Sequence, residues 1–433
     1  MTGSLLNRWI KLTGWCSQII LLALLYPLVC SAEELSLPWL VREALKNNRE
    51  ILALQSRLAA YAHRVPQAGS LPDPMFSVGY QNDGSNEYTY GDSPDAKWMF
   101  ELSQTFPFAG KRGLQTRMAQ ADLSAQKDDL ESLRRQTVRN VRESYLDLFL
   151  AYKSLDLYEE KKALLNRMEE AALARYAAGT AEQTDVILVQ TEQYMLMERE
   201  EMARQKIQIL EGALNGMIGR DVTLPLGRPA MTIKPSTMTG NLVELIERAD
   251  KNAAEIKNKE KMVAASEFKV GMAKREYFPD VTLNAGYEQR GSAYTDMYSL
   301  SASFSVPAYF RSRQEPAVLE ASSRLQEAKQ DLDGVKLTVA AAIRENFAVV
   351  STADRLLLLY RQGLIPKSTQ EYQSALSGYK AGKTGLEAVV APLKTVLDFE
   401  LLYWTQLVER EKAMGRIEAL TGDGLTGESS PEG

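Results

Sequence analysis

His63 is the only histidine in the 433-residue sequence, and Cys16 and Cys30 are its only cysteines. Zinc sites and Cys-His pairs need several such side chains brought together, and a Ser-His-Asp triad would rest on His63 alone. A metal site at His63 has no second imidazole or thiolate to complete it. That leaves carboxylate chemistry. A glycosidase-like site needs two carboxyls converging on one pocket, whereas the acids here fall mostly on the polar faces of helical stretches. The residue types therefore argue against an enzyme and against any cofactor. The formal charge of −5 also argues against a nucleic-acid binder, which would carry a basic patch.

The N-terminus reads as an export leader. Arg8 and Lys11 precede an apolar run from Ile19 to Leu25 that extends to Val29, and Cys30-Ser31-Ala32 follows. A basic start, a short apolar core and a small-residue exit predict a signal peptide over residues 1–32, cleaved after Ala32. Cleavage would remove both cysteines and take the net charge from −5 to −7. Two alternatives stand beside it. An uncleaved anchor would need about 20 apolar residues, and the run is shorter. Lipid attachment at Cys30 would place Val29 where a smaller residue is expected. No later stretch is long and apolar enough for a spanning helix, so an exported chain of this kind is either soluble or a membrane β-barrel.

The rest of the sequence is a tandem repeat with an offset near 200 residues. Ala44-Leu45-Lys46-Asn47 returns as Ala249-Asp250-Lys251-Asn252, and Leu71-Pro72 as Phe278-Pro279. Val78-Gly79-Tyr80 returns as Ala285-Gly286-Tyr287, and Phe106-Pro107 as Val306-Pro307. Tyr176-Ala177-Ala178-Gly179 returns as Tyr379-Lys380-Ala381-Gly382. Gly219 and Gly422 close the two halves. The predicted organisation is a first repeat over 33–219, a linker over 220–240, a second repeat over 241–422 and a disordered tail over 423–433. Prolines and glycines argue against helix in the linker.

Each repeat predicts a helix of about 30 residues, a strand pair, a very long helical stretch, a Gly-containing break and a last helix. The first helices are expected at 40–65 and 242–277, the long stretches at 112–175 and 313–377, and the last helices at 182–217 and 386–420. Pro366 should kink or interrupt the second long stretch. Leu130, Leu133, Val138, Val141, Tyr145, Leu148, Tyr152 and Leu155 recur mostly at three- to four-residue spacing, a seam for coiled-coil packing. The strands are predicted at about 75–83, 97–106, 281–289 and 297–306. All four alternate. Phe76, Val78 and Tyr80 share a face opposite Ser77, Gly79 and Gln81, and Tyr298, Leu300, Ala302, Phe304 and Val306 oppose four serines. Such strands suit either a membrane barrel with a wet interior or a half-buried soluble sheet. The leader and the long rods favour the barrel. Membrane barrels have at least about eight strands, so several chains would have to contribute.

On these features the sequence resembles the TolC-type outer-membrane efflux proteins. The carriers are the duplicated plan, the Leu71-Pro72 and Phe278-Pro279 lead-ins, Phe106-Pro107-Phe108-Ala109-Gly110-Lys111-Arg112, and Arg175-Tyr176-Ala177-Ala178-Gly179 followed by Thr184-Asp185-Val186. The Pro-Phe-x-Gly-Lys-Arg form is similar to the heavy-metal branch. The resemblance implies a mainly α fold with a small β part. It also implies a homotrimer with a 12-stranded barrel in outer-membrane lipid, continued by a periplasmic helical barrel. The implied partners are a periplasmic adaptor and an inner-membrane pump, and the implied role is that of a passive exit duct for efflux or type I secretion. No cargo pocket is needed in such a duct.

The resemblance further implies that the two Gly-containing breaks are periplasmic tips that touch the adaptor. Tyr176, Gly179, Thr180, Tyr379, Gly382 and Lys383 are the candidate contacts. Acids just beyond the tips narrow the entrance in the family, which makes Glu387 and Asp185 the gate candidates. Glu387 is a shifted match, and Val390 stands where some relatives have a second acid. The other reading is that both acids favour the positive first turn of a helix. Lys111 and Arg112 could anchor at the membrane interface or be solvated. The loop from Asn82 to Lys97, with Asp83, Glu87, Asp92 and Asp95, reads as a surface loop at the outer mouth. In the family the linker and C-terminus form a belt around the tunnel. The competing function is a periplasmic adaptor, which would show one helical hairpin flanked by small β domains rather than two equal halves.

Overall fold

The computed structural model describes residues 34–422. The expected leader, Cys30 and the C-terminal tail lie outside them. Twice in succession the chain forms two short helices, a β-hairpin, a long rod and a returning helix. The first set is α1 (Leu37–Asn47), α2 (Arg49–Gly69), β1 (Met75–Gln81), β2 (Lys97–Phe106), α3 (Lys111–Ala177) and α4 (Gln183–Met217). The second is α5 (Leu242–Asn252), α6 (Ala254–Arg275), β3 (Val281–Gln289), β4 (Met297–Phe304), α7 (Gln314–Leu359), α8 (Ile365–Lys380) and α9 (Glu387–Thr421). No helix among the described residues is long and apolar enough to cross a membrane.

The single first helix expected in each repeat is in fact two. Asn48 and Ala253 both adopt φ −60° and ψ 124°, an extended conformation that ends one helix and starts the next. Asn48 explains its own break, because its side chain accepts from the amides of Glu50 and Ile51 and so caps α2. Ala253 has no such group. Both breaks have a tertiary contact in common, since Gly219 lies against the Asn47 backbone and Gly422 against the Asn252 side chain. Both glycines have positive φ, 71° and 81°, which closes α4 and α9 with a left-handed residue. An apolar cluster under each break, around Leu40 and Leu214 in one and around Ile256 and Met414 in the other, then holds it in place.

The rod α3 runs unbroken for 67 residues, about 100 Å at 1.5 Å per residue. Its counterpart is interrupted as Pro366 requires. Proline lacks an N–H, and its ring clashes with the carbonyl four residues earlier. The chain absorbs this in one π turn, Tyr360–Leu364, and resumes as α8. Pro66 and Pro392, by contrast, lie inside helices α2 and α9.

Packing orders the helices side by side. Near the sheet, α2, α3, α6 and α7 are neighbours in that order. At the other end α4 lies against α3, α3 against α9, and α9 against α8. The linker is not helical. It packs against the rods, with Leu226, Ile233 and Met238 in three apolar clusters and Leu35 bridged to Pro229.

Candidate channel wall and tips

The four strands form one antiparallel meander in the order β1-β2-β3-β4. β1 stops at Gln81 and β4 at Phe304, each two residues short of expectation. The registers put the predicted faces together. Val78 pairs with Phe100, Phe100 with Tyr287 and Tyr287 with Tyr298, and the next apolar row is Phe76, Leu102, Ala285 and Leu300. Nothing covers this face in the single chain. Tyr298 is 85% exposed, Leu300 81% and Phe76 65%. The opposite face is polar and internally bonded. Thr105 meets Thr282 at 3.0 Å, Asn284 donates to Ser301 and Ser303, and Glu288 accepts from Lys97 at 2.8 Å. A sheet with one apolar and one polar face, both open in the single chain, and unpaired at both edge strands has the form of a barrel segment. The far end carries the expected acidic loop, where Asp83 accepts from Thr89 and Ser93 and Tyr80 stacks on Tyr88 at 5.4 Å.

Below the sheet the Lys111 expectation needs correction. The Lys111 side chain is not free to anchor at an interface or to be solvated, whereas Arg112 stays exposed and is tied by its hydrogen bonds. Lys111 is 3% exposed and pairs with Asp280 at 2.9 Å and Glu276 at 3.4 Å. Arg112 donates two hydrogen bonds to the carbonyl of Gly69 at the end of α2. The whole motif is a clasp between the repeats. Phe108 stacks on Phe278 at 4.5 Å, the Phe108 amide donates to Asp280, and Gly110, at φ 90°, lies against the Arg275 guanidinium. A side chain at Gly110 would meet that guanidinium as well as a strained backbone.

At the opposite end the two tips have the same construction. The Thr180 amide donates to Arg175 and the Gly179 amide to Tyr176, while Lys383 donates to Gly378 and Gly382 to Tyr379. Gly179 and Gly382 have φ 70° and 71°, the left-handed closure that frees the chain to reverse. Arg175 ties the tips together. It donates to the Tyr379 carbonyl at 3.3 Å and lies 4.6 Å from that ring's centroid. Tyr379 is thereby buried, with no partner for its hydroxyl among the described residues. Tyr176, Gly179, Thr180, Gly382 and Lys383 stay exposed.

Both acids fall in first helical turns, Asp185 in α4 and Glu387 in α9. Glu387 is exposed, and Asp185 is half-buried between exposed Thr184 and buried Val186. Neither carboxylate caps its helix through a hydrogen bond. Buried Leu386, Val389 and Val390 share an apolar cluster with Val186 and Val189 and hold the two helix starts in place. His63 has no metal-binding group of acids, histidines or cysteines around it among the described residues.

Two polar networks were missed from sequence. Lys394 pairs with Glu192 at 2.9 Å, Arg199 with Asp398 at 3.3 Å and Lys161 with Glu400 at 3.1 Å, joining α9 to α3 and α4 near the tips. Higher up, the run Glu409-Arg410-Glu411-Lys412 is half to fully buried. Lys412 pairs with Asp147 at 2.6 Å, and Arg410 with Asp354 and Glu411. Glu411 also accepts from the Ser236 amide, which fastens the linker to the rods. Burial alone would lower the Lys412 ammonium, but its bonds to Asp147 and Glu409 outweigh that and hold it above its usual range. Gly415 leaves the room that Arg142 needs to reach this network, because a Cβ there would lie 3.2 Å from the Arg142 side chain. In sequence, four consecutive charges read as a solvated face. Only the packing of the linker and α3 around them buries them.

An exposed apolar sheet on a duplicated set of long rods is the architecture of an export channel. The family model described as outer membrane efflux protein matches residues 40–220 and 245–397, and the chain belongs to that family. It is an outer-membrane efflux channel, and the adaptor alternative finds no support. Among curated relatives it is similar to the nickel-cobalt-cadmium resistance protein NccC of Alcaligenes xylosoxydans xylosoxydans. The two are 22% identical over 78% of this chain and 76% of NccC. It is also similar to the cation efflux system protein CusC of Escherichia coli O157:H7, 21% identical over 87% of this chain and 85% of CusC. A crystal structure of CusC superposes with a TM-score of 0.78 at 15% identity, over 90% of this chain and 93% of that one.

Proposed function

We propose that three copies of the chain close their sheets into one 12-stranded barrel and that the particle is a passive exit duct for metal cations. The observation that carries the reading is the open sheet. It exposes a whole apolar face and leaves β1 and β4 each with an unpaired edge. In lipid, unpaired strand edges are prohibitive, and closure is the one way for a sheet to satisfy them. Four strands from one chain are too few for closure, and members of this family work as trimers with an adaptor and an inner-membrane pump. The cargo reading rests on the relatives named for cation efflux and metal resistance. The repeats 33–219 and 241–422, joined by 220–240, would then each supply one hairpin, half of a chain's share of the wall.

In this reading the duct does no chemistry. The serine- and threonine-rich face would line a water-filled lumen. Energy and selectivity would come from the pump, delivered through an adaptor that meets Tyr176, Gly179, Thr180, Gly382 and Lys383, with Tyr379 fixing the Arg175 guanidinium above it. Glu387, with Asp185 nearby, would repeat threefold around the entrance, where a ring of carboxylates attracts cations and repels anions. Purified protein added to planar bilayers tests the duct. The expected result is discrete channels that prefer potassium to chloride. A protein that inserts and never conducts, or that conducts anions better, contradicts it.

A further inference from the structure

The turn that follows β4 differs from its counterpart after β2 in what it does with its basic side chains. After β2, Lys111 is buried in ion pairs and Arg112 is spent on the Gly69 carbonyl. After β4, Arg311 and Arg313 are both exposed and neither makes an ion pair among the described residues. Their position along the chain is ordered. The outward apolar row of β4, Tyr298, Leu300 and Phe304, continues past the strand to Val306, which is 78% exposed. Tyr309 follows at 81% exposed, then Phe310, which packs on Tyr277 at 6.4 Å. The Arg313 amide closes the turn on the Tyr309 carbonyl at 3.1 Å and the Arg311 guanidinium lies 5.9 Å from the Phe310 ring centroid, so both arginines follow the aromatic pair directly along the chain. From Tyr298 to Val306 a tilted strand covers about 20–25 Å, the height of the apolar band of an outer-membrane barrel. Hydrocarbon-facing residues, then aromatics, then cations is the order of layers at a membrane surface.

We infer that Arg311 and Arg313, with Tyr309 and Phe310, form a docking surface for anionic phospholipid headgroups at the periplasmic face of the outer membrane. The occupant is fixed by charge complementarity with lipid phosphate and by continuity with the apolar sheet face. The inference rests on the reading that this sheet face meets the membrane. Each arginine beside an anionic surface strengthens attraction about fivefold.

The test is native mass spectrometry of the detergent-purified protein titrated with phosphatidylglycerol, phosphatidylcholine or inorganic phosphate. The variants are R311Q/R313Q and, as a control, R324Q, an exposed arginine on α7 paired with Glu320. The wild type and R324Q should prefer phosphatidylglycerol to phosphatidylcholine, and R311Q/R313Q should lose that preference by about tenfold or more. Equal preference in all three proteins overturns the site. So does displacement of the lipid by inorganic phosphate, which would mark a simple anion site. A fall in particle mass in R311Q/R313Q also overturns it, because the arginines would then join copies of the chain. Failure of the wild type to hold any lipid removes the membrane-facing reading itself, a result distinct from loss of headgroup preference.

Discussion

In the proposed duct Glu387 would act on the electrostatics of the entrance, and Tyr152 reports on stability at alkaline pH. Glu387 stands exposed at the start of α9 with no hydrogen bond to hold it among the described residues, so in the proposed duct its charge would act mainly on what passes. A carboxylate about 8 Å from an ion in water contributes about 0.5 kcal/mol, roughly twofold in preference. Glu387→Ala removes three such charges from the proposed ring. Its potassium-over-chloride permeability in bilayers should fall by more than twofold, and unchanged selectivity would leave Glu387 a helix-dipole residue only. Tyr152 offers a pH readout. Burial, followed by the nearby Glu211 carboxylate, pushes its phenol up to about 12, and its hydroxyl donates to Glu211 at 3.1 Å. An unfolded tyrosine ionises near pH 10, so above that pH the unfolded state gives up a proton that the folded state keeps. Folding stability should therefore fall between pH 10 and about 12, by up to about 1.4 kcal/mol per unit from this residue. Tyr152→Phe should flatten that part of the profile in denaturant titrations. An unaltered slope would place the alkaline loss elsewhere.

Elements show how far the sequence could be read. The strands were legible because their alternation has period two and the outward face needs no burial to be apolar, so the Phe76 and Leu300 rows appear in the sequence itself. The rods were legible from the seam through Leu130 and Leu148. The breaks at Asn48 and Ala253 were not. At Ala253 no local residue type asks for one, and the contact beside the break comes from far along the chain, where Gly422 lies against the Asn252 side chain. Asn48→Ala isolates the local contribution at the first break. It removes the cap of α2 and the side-chain bond to the Met217 carbonyl. It should cost about 1 kcal/mol, measured as a shift in denaturant midpoint, and no shift would show that tertiary packing alone makes the break. The Lys111 clasp and the buried run from Glu409 to Lys412 were also hidden. Their partners Asp280, Asp147 and Asp354 come from other elements, and a charge reads as solvated until its partner is known.

At the scale of the whole molecule, one chain is an unfinished object. Its sheet has two unpaired edges and an exposed apolar face, and its rods end in side-by-side tips that share one apolar cluster. In the proposed trimer these open flanks would be completed by the same operation, a rotation that sets β4 of one copy beside β1 of the next. Extraction from outer membranes into detergent, followed by light scattering on the purified particle, tests that claim most directly. The protein mass within the particle should be three times that of the processed chain, and it should not depend on dilution. A monomer of up to the full 48.3 kDa, or recovery of the protein without detergent, would contradict the closed barrel and the duct built on it.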